Sequence, residues 1–364
     1  MELAERTRRI DSSGIRKVFA LAADMKDPVN LSIGQPHFDV PESVKEAAIR
    51  AIRDGRNSYT LTAGIPELRE RLLERYRQRG VEAEDVIITS GVSGGILLCF
   101  LALLNEGDEI IIPDPYFVMY KHLANFIGAR PVFVDTYPDF QPDPQKIEAA
   151  ITPRTKMILV NNPNNPAGAV YTKEILHGLV EVAAQYGLPI LTDEIYDCFL
   201  YDSKPISIAE WYPDTILLSG FSKSAALTGW RVGYALAPKS VVAAMANIQM
   251  YSFVCAPSIA QWAALAALDE DTSRNTDDYR RKRDLIYNGI KDRYEVTKPA
   301  GAFYIFPKAP NNDGDSFVQE AIRNNLLVVP GSVFSERKTH FRISYAAEDS
   351  VIGRGVEILN RLAG

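Results

Sequence analysis

One lysine of the sequence lies among small and apolar residues, in the segment FSKSAALTGWRVGY at positions 221–234. Lys223 follows the β-rich run DTILLSG, and the next cation along the chain is Arg231. Burial disfavours the ammonium form, and lowering a lysine pKa by about three units corresponds to about 4 kcal/mol of differential stabilisation. The neutral amine is a nucleophile, so this setting indicates imine chemistry. An isolated loop lysine is more often a solvated charge, so the interpretation depends on other residues.

A glycine-containing segment offers a site for an anion. TSGVSGG at 89–95 follows a predicted strand and opens a predicted helix. Its glycines let backbone N–H groups approach an anion at the positive end of the helix. The segment lacks the lysine of a P-loop, and by itself it would be an ordinary turn.

Two further segments carry polar side chains after predicted strands. NNPNNPAG at 161–168 has two prolines and four asparagines in its first six residues, which is denser than an ordinary turn. TDEIYD at 192–197 ends another apolar strand with Asp193 and Tyr196. A buried carboxylate is costly unless it meets a cation or a hydrogen-bond donor. The alternative is that Asp193 only caps the helix that follows.

These groups together match the chemistry of pyridoxal phosphate. Asp193 can partner a pyridinium nitrogen, and Lys223 can form a Schiff base. The glycine-rich helix start and Arg231 can hold a phosphate. The sequence therefore predicts a pyridoxal-phosphate site that is built from several loops.

The elements that must position these residues alternate between apolar strands and amphipathic helices. Seven runs read as strands, namely DVIITS, DEIIIP, RPVFVD, KMILVN, PILTDE, TILLSG and RVGYAL. Near-continuous apolar strands are typical of a sheet that is covered on both faces. The pattern predicts an α/β fold in which a mainly parallel seven-stranded sheet lies between helices, with ligands at the carboxyl ends of the strands.

The ends of the chain have a different pattern. A long polar helix is predicted at 273–292, followed by the strands GAFYIF, LLVVPG and HFRISYA. These strands alternate with predicted helices and indicate a smaller α+β domain built from both termini. We predict a large cofactor-binding domain at 43–277 and a small domain at 1–42 and 278–364. The opening forty residues show no sheet partners of their own and are expected to pack with the small domain.

Composition excludes several classes of protein. The chain has 364 residues, 46% of them hydrophobic and 24% charged, and a formal net charge of -6. This balance is typical of a soluble globular protein and gives no general basic surface for nucleic acid or anionic membrane. The longest apolar run, ILLCFLALL at 96–104, is too short to span a bilayer. The first residues lack the apolar segment of a secretory signal, so we predict a cytoplasmic protein.

Cysteine and histidine do not indicate a metal site. The three cysteines match neither a zinc pattern nor a disulfide framework, and the four histidines have no metal-ligand spacing. Buried structural thiols are the expected role of the cysteines.

The sequence resembles the fold-type I pyridoxal-phosphate enzymes of the aspartate aminotransferase family from about residue 30 to residue 346. SKSAALTGWRVG resembles the family pattern of Ser-Lys, five residues and Gly-x-Arg-x-Gly, NNPNNPAG resembles Asn-Pro-x-Asn-Pro-Thr/Ala-Gly, and DEIY resembles Asp-Glu-x-Tyr. The resemblance implies a ping-pong transfer of an amino group between an amino acid and a 2-oxo acid.

The resemblance also implies roles for individual residues. Lys223 would be the Schiff-base lysine and proton shuttle, and Asp193 would keep the pyridine nitrogen protonated. Tyr196 and Asn165 would hydrogen-bond the phenolic oxygen of the ring, and Tyr116 would stack on the ring. The phosphate would be bound by the residues Gly91, Val92, Ser93, Ser222 and Arg231.

Further positions concern the substrate and a second subunit. Arg342 would bind the substrate α-carboxylate, and Gly34 and Asn165 would lie close to that carboxylate. Tyr59 matches a tyrosine that reaches the phosphate from the other subunit, which implies a homodimer with shared active sites. One departure is Gly220, where the family often has a serine.

The same residues suit other reactions. A carbon–sulfur β-lyase would use them for α,β-elimination, and a regulatory module could bind the cofactor without catalysis. The sequence does not identify the amino donor, because no position supplies a secure second cation for a distal carboxylate.

Overall fold

The long apolar runs in the middle of the chain form one sheet in the computed structural model, which describes residues 1–11 and 25–364. In chain order the strands are β1 (Val29–Asn30), β2 (Asp85–Thr89), β3 (Glu109–Asp114), β4 (Arg130–Asp135), β5 (Thr155–Asn161), β6 (Ile190–Asp193), β7 (Thr215–Gly220), β8 (Gly233–Ala237), β9 (Tyr304–Ile305), β10 (Leu326–Leu327), β11 (Val329–Pro330) and β12 (Phe341–Ser344). The main sheet has seven strands in the order β2-β8-β7-β6-β5-β3-β4. Only β8 runs antiparallel to its neighbours, so the predicted α/β fold with a mainly parallel seven-stranded sheet is confirmed.

The described part of the chain has twelve α-helices, of which those before residue 268 pack mainly with the main sheet and the last three belong to a smaller unit. They are α1 (Glu42–Arg53), α2 (Pro66–Gln78), α3 (Gly91–Leu103), α4 (Val118–Ile127), α5 (Pro144–Ala149), α6 (Lys173–Tyr186), α7 (Phe221–Ser224), α8 (Lys239–Met250), α9 (Ser258–Ala267), α10 (Ser273–Ile290), α11 (Gly314–Arg323) and α12 (Asp349–Leu362). Successive strand residues point to opposite faces, so Ile110 and Ile112 pack in the core under α3, α4 and α8, whereas Ile111 packs under α6. Burial on both sides explains why the strand is apolar at every one of these positions.

The last part of the chain forms a smaller α+β unit. Strands β11, β12 and β9 make an antiparallel sheet in that order, and α10 packs against α12. The predicted boundary between 277 and 278 falls inside α10. The division of the chain into two domains stays a prediction.

The opening residues differ from expectation in one respect. Strand β1 pairs in parallel with β10, through Val29 with Leu326 and Asn30 with Leu327, so this segment does have a sheet partner. A strand of two residues is too short to show an alternating pattern, which is why the sequence does not reveal it. The part of the expectation that concerns 12–24 lies outside the described residues.

Across residues 1–11 and 25–364, no helix combines the length and the apolar character needed to cross a membrane. Within the same residues, no three His, Cys, Asp or Glu side chains come together in an arrangement that could hold a metal ion.

Candidate active site

A cavity of about 300 Å³ lies where several strands of the main sheet end. Asn161 ends β5, Asp193 ends β6, and the short helix α7 with Lys223 follows β7 directly. The carboxyl ends of parallel strands meet at one edge of a sheet, so residues far apart in sequence come together there. The predicted site residues that line the cavity are Gly34, Val92, Ser93, Asn165, Asp193, Tyr196, Ser222, Lys223, Arg231 and Arg342.

The amine of Lys223 lies inside this cavity. Its Nζ donates a hydrogen bond to the carbonyl oxygen of Gly34 at 2.6 Å. Desolvation lowers the pKa of Lys223 to about 8, and the positive charges of Arg342 and Arg231 act in the same direction, while Asp193 opposes them. A substantial fraction of the amine is therefore neutral near pH 8, as a nucleophile requires.

The carboxylate of Asp193 is buried in the wall of the same cavity, with 3% of the residue exposed. Its Oδ2 accepts a hydrogen bond from the Tyr120 hydroxyl at 2.7 Å, and its Oδ1 accepts one from the Ile195 N–H at 3.2 Å. Burial raises the pKa of Asp193 to about 6, although the two hydrogen bonds and Lys223 favour the ionised form. At pH 7 the side chain is mainly an anion, and no cation of the described residues forms a salt bridge with it, which suits a cationic ligand atom.

A cradle for an anion lies at the start of α3. The Arg231 guanidinium donates from Nη2 to Ser93 Oγ at 2.7 Å and from Nη1 to the Thr228 carbonyl at 2.9 Å. Arg231 has φ 56, a left-handed conformation that is strained for a residue with a side chain and is often found at functional sites. Gly91 does not line the cavity, but a Cβ on it would lie 2.4 Å from Arg231 Nη2. The glycine thus allows the guanidinium to reach the helix N-terminus.

The backbone behind this cradle explains the departure at Gly220. A Cβ on Gly220 would lie 2.8 Å from the Cα of Gly233. A Cβ on Gly233 would in turn lie 2.7 Å from the Val92 nitrogen. The close approach of β7, β8 and the start of α3 therefore leaves no room for the serine hydroxyl that the family often has at position 220.

Arg342 forms a second cationic centre in the wall of the cavity. It is 1% exposed, and it donates from Nη1 to Asn165 Oδ1 and from Nη2 to the Ser32 carbonyl, both at 3.0 Å. Its Nε is buried and meets no hydrogen-bond partner within residues 1–11 and 25–364, and the rings of Tyr304 and Phe334 each have their centre 4.5 Å from the guanidinium. No acidic side chain of the described residues pairs with it, so the charge is available to an anionic ligand.

Besides Gly91, two predicted residues do not line the cavity. The prediction for Tyr116 is corrected by the structure, because its ring stacks on Phe133 outside the cavity and its hydroxyl donates to Glu336 at 2.7 Å. The next residue, Phe117, lines the cavity instead. Tyr59 is 84% exposed at the surface and does not line the cavity of its own chain.

Sequence reasoning missed several residues of the cavity wall, which are Phe117, Tyr120, Asn161, Thr228 and Tyr304. Asn161 and Thr228 lie within the motifs NNPNNPAG and SKSAALTGWRVG, so the sequence could have indicated them. Tyr120 could also have been found, because it lies three residues after Phe117, on the first turn of α4. Tyr304 had none, since it comes from β9, far from the other motifs in sequence.

The fold and this cavity bring a lysine, a buried acid and two arginines together at one edge of an α/β sheet. A family model described as aminotransferase class I and II matches residues 26–359. The chain belongs to this family. It is therefore an aminotransferase, which moves an amino group between an amino acid and a 2-oxo acid.

Individual relatives agree with this assignment over the full length. The chain is 39% identical to a probable aspartate aminotransferase of Methanocaldococcus jannaschii, covering 99% of each protein. It is also 39% identical to an aspartate/prephenate aminotransferase of Thermus thermophilus, covering 100% of this chain and 99% of that protein. The solved structure of the Thermus thermophilus aspartate aminotransferase with maleate superposes with a TM-score of 0.96 at 38% identity, covering 100% of both chains.

Proposed function

We propose that this chain binds pyridoxal phosphate in the cavity and catalyses transamination there, with aspartate as an amino donor. The observation that carries the proposal is the convergence of Lys223, Asp193, Arg231 and Arg342 on one cavity of about 300 Å³. This volume is within the range of small-molecule sites. The names of the relatives supply aspartate as the first donor to test.

The residues present fit the cofactor group by group. The Arg231 guanidinium, Ser93, Ser222 and the start of α3 would hold the phosphate, since they place donors and positive charge at one point. Asp193 would hold the ring nitrogen in its protonated form, and Tyr196 with Asn165 would hydrogen-bond the phenolic oxygen. Phe117, rather than Tyr116, would contact the face of the ring, because it lines the cavity.

When bound, pyridoxal phosphate supplies an aldehyde that condenses with primary amines and a ring that draws electrons from the carbon bearing the amino group. Lys223 would supply the amine that the aldehyde binds when no substrate is present. With a substrate present, its neutral Nζ would be the base that removes the proton from the substrate Cα. The lowered pKa of Lys223 makes the neutral amine available for this step near pH 8.

Arg342 orients the amino acid during these steps. Its guanidinium presents two donors in one plane, which match the two oxygens of an α-carboxylate. Asn165 Oδ1 and the Ser32 carbonyl hold the guanidinium from the other side, so little side-chain freedom is lost on binding. The burial of Arg342 strengthens the attraction because water is excluded.

A transamination assay tests the proposed function. We expect the purified protein with pyridoxal phosphate, aspartate and 2-oxoglutarate to form glutamate and oxaloacetate without releasing ammonia. Aromatic amino acids should be tested in parallel, because another relative, from Thermococcus litoralis, is named an aromatic-amino-acid aminotransferase. A β-lyase would instead release pyruvate, ammonia and a thiol from an amino acid with a β-sulfur substituent, such as cystathionine, in the absence of 2-oxoglutarate. No turnover of any donor would contradict the proposed function.

The role of Arg342 can be tested by Arg342→Lys, which keeps the charge but removes the planar pair of donors. We expect kcat/KM for the amino acid to fall roughly 100-fold, mostly through KM, because a buried hydrogen-bonded charge pair is disrupted. Steady-state kinetics with varied amino donor measure this change. Cofactor absorbance should persist.

The matched control is Arg283→Lys. Arg283 is a similarly buried arginine that pairs with Asp202 at 2.7 Å and does not line the cavity. We expect this control to lower thermal stability without raising KM. An equal rise of KM in both variants would remove the assigned role of Arg342.

We also propose a homodimer with shared active sites. Exposed apolar side chains cluster on the surface near Tyr59, including Leu61 at 63% and Tyr251 at 90% exposure. The two segments are joined, since Gln249 Nε2 donates to the Thr62 carbonyl at 2.6 Å. A contiguous exposed apolar patch of this kind is typical of a protein interface. Tyr59 would extend from it to the phosphate in the partner subunit.

Mixing two defective variants tests the shared site. In a heterodimer of Tyr59→Ala and Lys223→Ala chains, one site holds both changes and the other holds neither if Tyr59 serves the partner. We expect the refolded mixture to regain about a quarter of wild-type activity, because half of the dimers are mixed and each has one intact site. Activity no higher than the average of the two single variants would contradict sharing.

The predicted cytoplasmic location of the protein stays a prediction.

A further inference from the structure

The side chain of Tyr304 contacts two other side chains of the cavity wall, those of Tyr196 and Arg342. Its hydroxyl oxygen lies 2.9 Å from the hydroxyl oxygen of Tyr196, and the centre of its ring lies 4.5 Å from the Arg342 guanidinium. All three side chains are buried. Tyr304 contacts Tyr196 through its hydroxyl and Arg342 through its ring. The position of Tyr304 therefore affects both Tyr196 and Arg342.

The hydroxyl of Tyr304 also meets the loop that holds the lysine. A Cβ on Gly34 would lie 2.6 Å from that hydroxyl oxygen, so the loop backbone passes as closely as a glycine allows. The carbonyl of the same Gly34 accepts the hydrogen bond from Lys223 Nζ. Tyr304 is therefore in contact with the surroundings of the reactive amine as well.

The strand pairing fixes this placement. Tyr304 lies on β9, where it pairs with Ser344 of β12, two residues from Arg342. Residues two apart on a strand point to the same face. The phenol ring is thus held next to the guanidinium by the backbone ladder, with Phe334 at 4.5 Å from the same guanidinium.

The direction of the hydrogen bond between the tyrosines follows from what Tyr196 must do. A phenol has one hydrogen to donate, and a Tyr196 that donates to a phenolic oxygen of the ligand can only accept at its other lone pair. Tyr304 is the hydroxyl within reach to donate to it. A chain of donated hydrogen bonds polarises each member and strengthens the last one.

We propose that Tyr304 is a positioning residue that aligns the donor hydroxyl of Tyr196 through its own hydroxyl and supports the guanidinium of Arg342 through its ring. The inference rests on the proposed function. The charged groups that face the tyrosine pair are Arg342 and Asp193, and Lys223 Nζ lies 5.8 Å from the centre of the Tyr196 ring.

Two variants separate the two roles. Tyr304→Phe keeps the ring and removes the hydroxyl, so Tyr196 donates more weakly and the phenolic oxygen becomes more basic. We expect the visible absorbance of the substrate-free, cofactor-loaded protein to titrate about half a pH unit or more higher than in the wild type, with KM for the amino donor within about twofold. Tyr304→Leu also removes the ring, and we expect KM to rise roughly tenfold.

Tyr345→Phe is the matched control. Tyr345 is a buried tyrosine whose hydroxyl lies 3.2 Å from the Tyr201 hydroxyl and donates to the Ala302 carbonyl, and it does not line the cavity. The control should titrate like the wild type. A Tyr304→Phe protein that also titrates like the wild type would overturn the role of the hydroxyl, and equal KM values for the two Tyr304 variants would overturn the role of the ring. A wild-type protein without the visible band would overturn the proposed function, and this inference with it.

Discussion

Replacing Lys223 with alanine is expected to lower kcat for transamination roughly 10⁴-fold, because one substitution removes both the amine that occupies the aldehyde position and the base that moves the Cα proton. The visible absorbance that depends on a bond between the cofactor and this lysine should disappear as well. Single-turnover spectroscopy with an added amino donor measures the loss. Cofactor binding itself should persist, since Arg231 and the start of α3 are unchanged.

A small primary amine added in solution should restore part of the rate in the Lys223→Ala protein, because it can enter the space that the side chain leaves. Lys204→Ala is a suitable control, since Lys204 lies outside this cavity at an exposed position. Its kinetics should equal those of the wild type. A Lys223→Ala protein with more than a tenth of wild-type kcat would end the assignment of Lys223 as the catalytic amine.

The sequence was informative wherever a residue and its task lay in one short segment. Lys223, Asp193 and Arg231 each follow or precede an apolar strand, and the carboxyl ends of neighbouring parallel strands must converge. The meeting of Asp193 and Lys223 was therefore predictable, whereas Arg231 reaches the same edge because β8 runs antiparallel, which the sequence did not indicate. The apolar run from Ile110 to Pro113 within β3 likewise indicated helices on both faces.

Orientation and long-range contacts were not predictable in this way. Tyr116 and Phe117 are adjacent aromatic residues, and only the backbone at the start of α4 decides which of them faces the cavity. Tyr304 meets Tyr196 across a separation of 108 residues, without a motif that joins them. The pairing of Val29 with Leu326 is of the same kind, since neither two-residue strand shows a periodic pattern. These features depend on tertiary packing, which a single sequence does not display.

The electrostatics of the site add a reason why a catalytic residue costs stability. Asp193 has a pKa of about 6 against an ordinary value of 3.8, because it is buried. The unfolded chain ionises at lower pH, so the cost of ionised Asp193 is fully present above about pH 6 and absent below about pH 3.8. The shift corresponds to about 3 kcal/mol against the folded state at neutral pH. A bound cation at the carboxylate would offset this cost.

Asp193→Asn is therefore expected to have opposite effects on stability and on activity. Without cofactor, the variant should unfold a few degrees above the wild type at pH 7.5, and this difference should vanish near pH 4. With cofactor, kcat should fall roughly 1,000-fold, because a neutral amide cannot hold a protonated ring nitrogen.

Glu194→Gln is the matched control, since Glu194 is equally buried, has its pKa raised to about 8 by burial, and does not line the cavity. It should also stabilise the protein at pH 7.5 but leave transamination unchanged. An Asp193→Asn protein that retains wild-type kcat would show that protonation of the ring nitrogen does not depend on this acid.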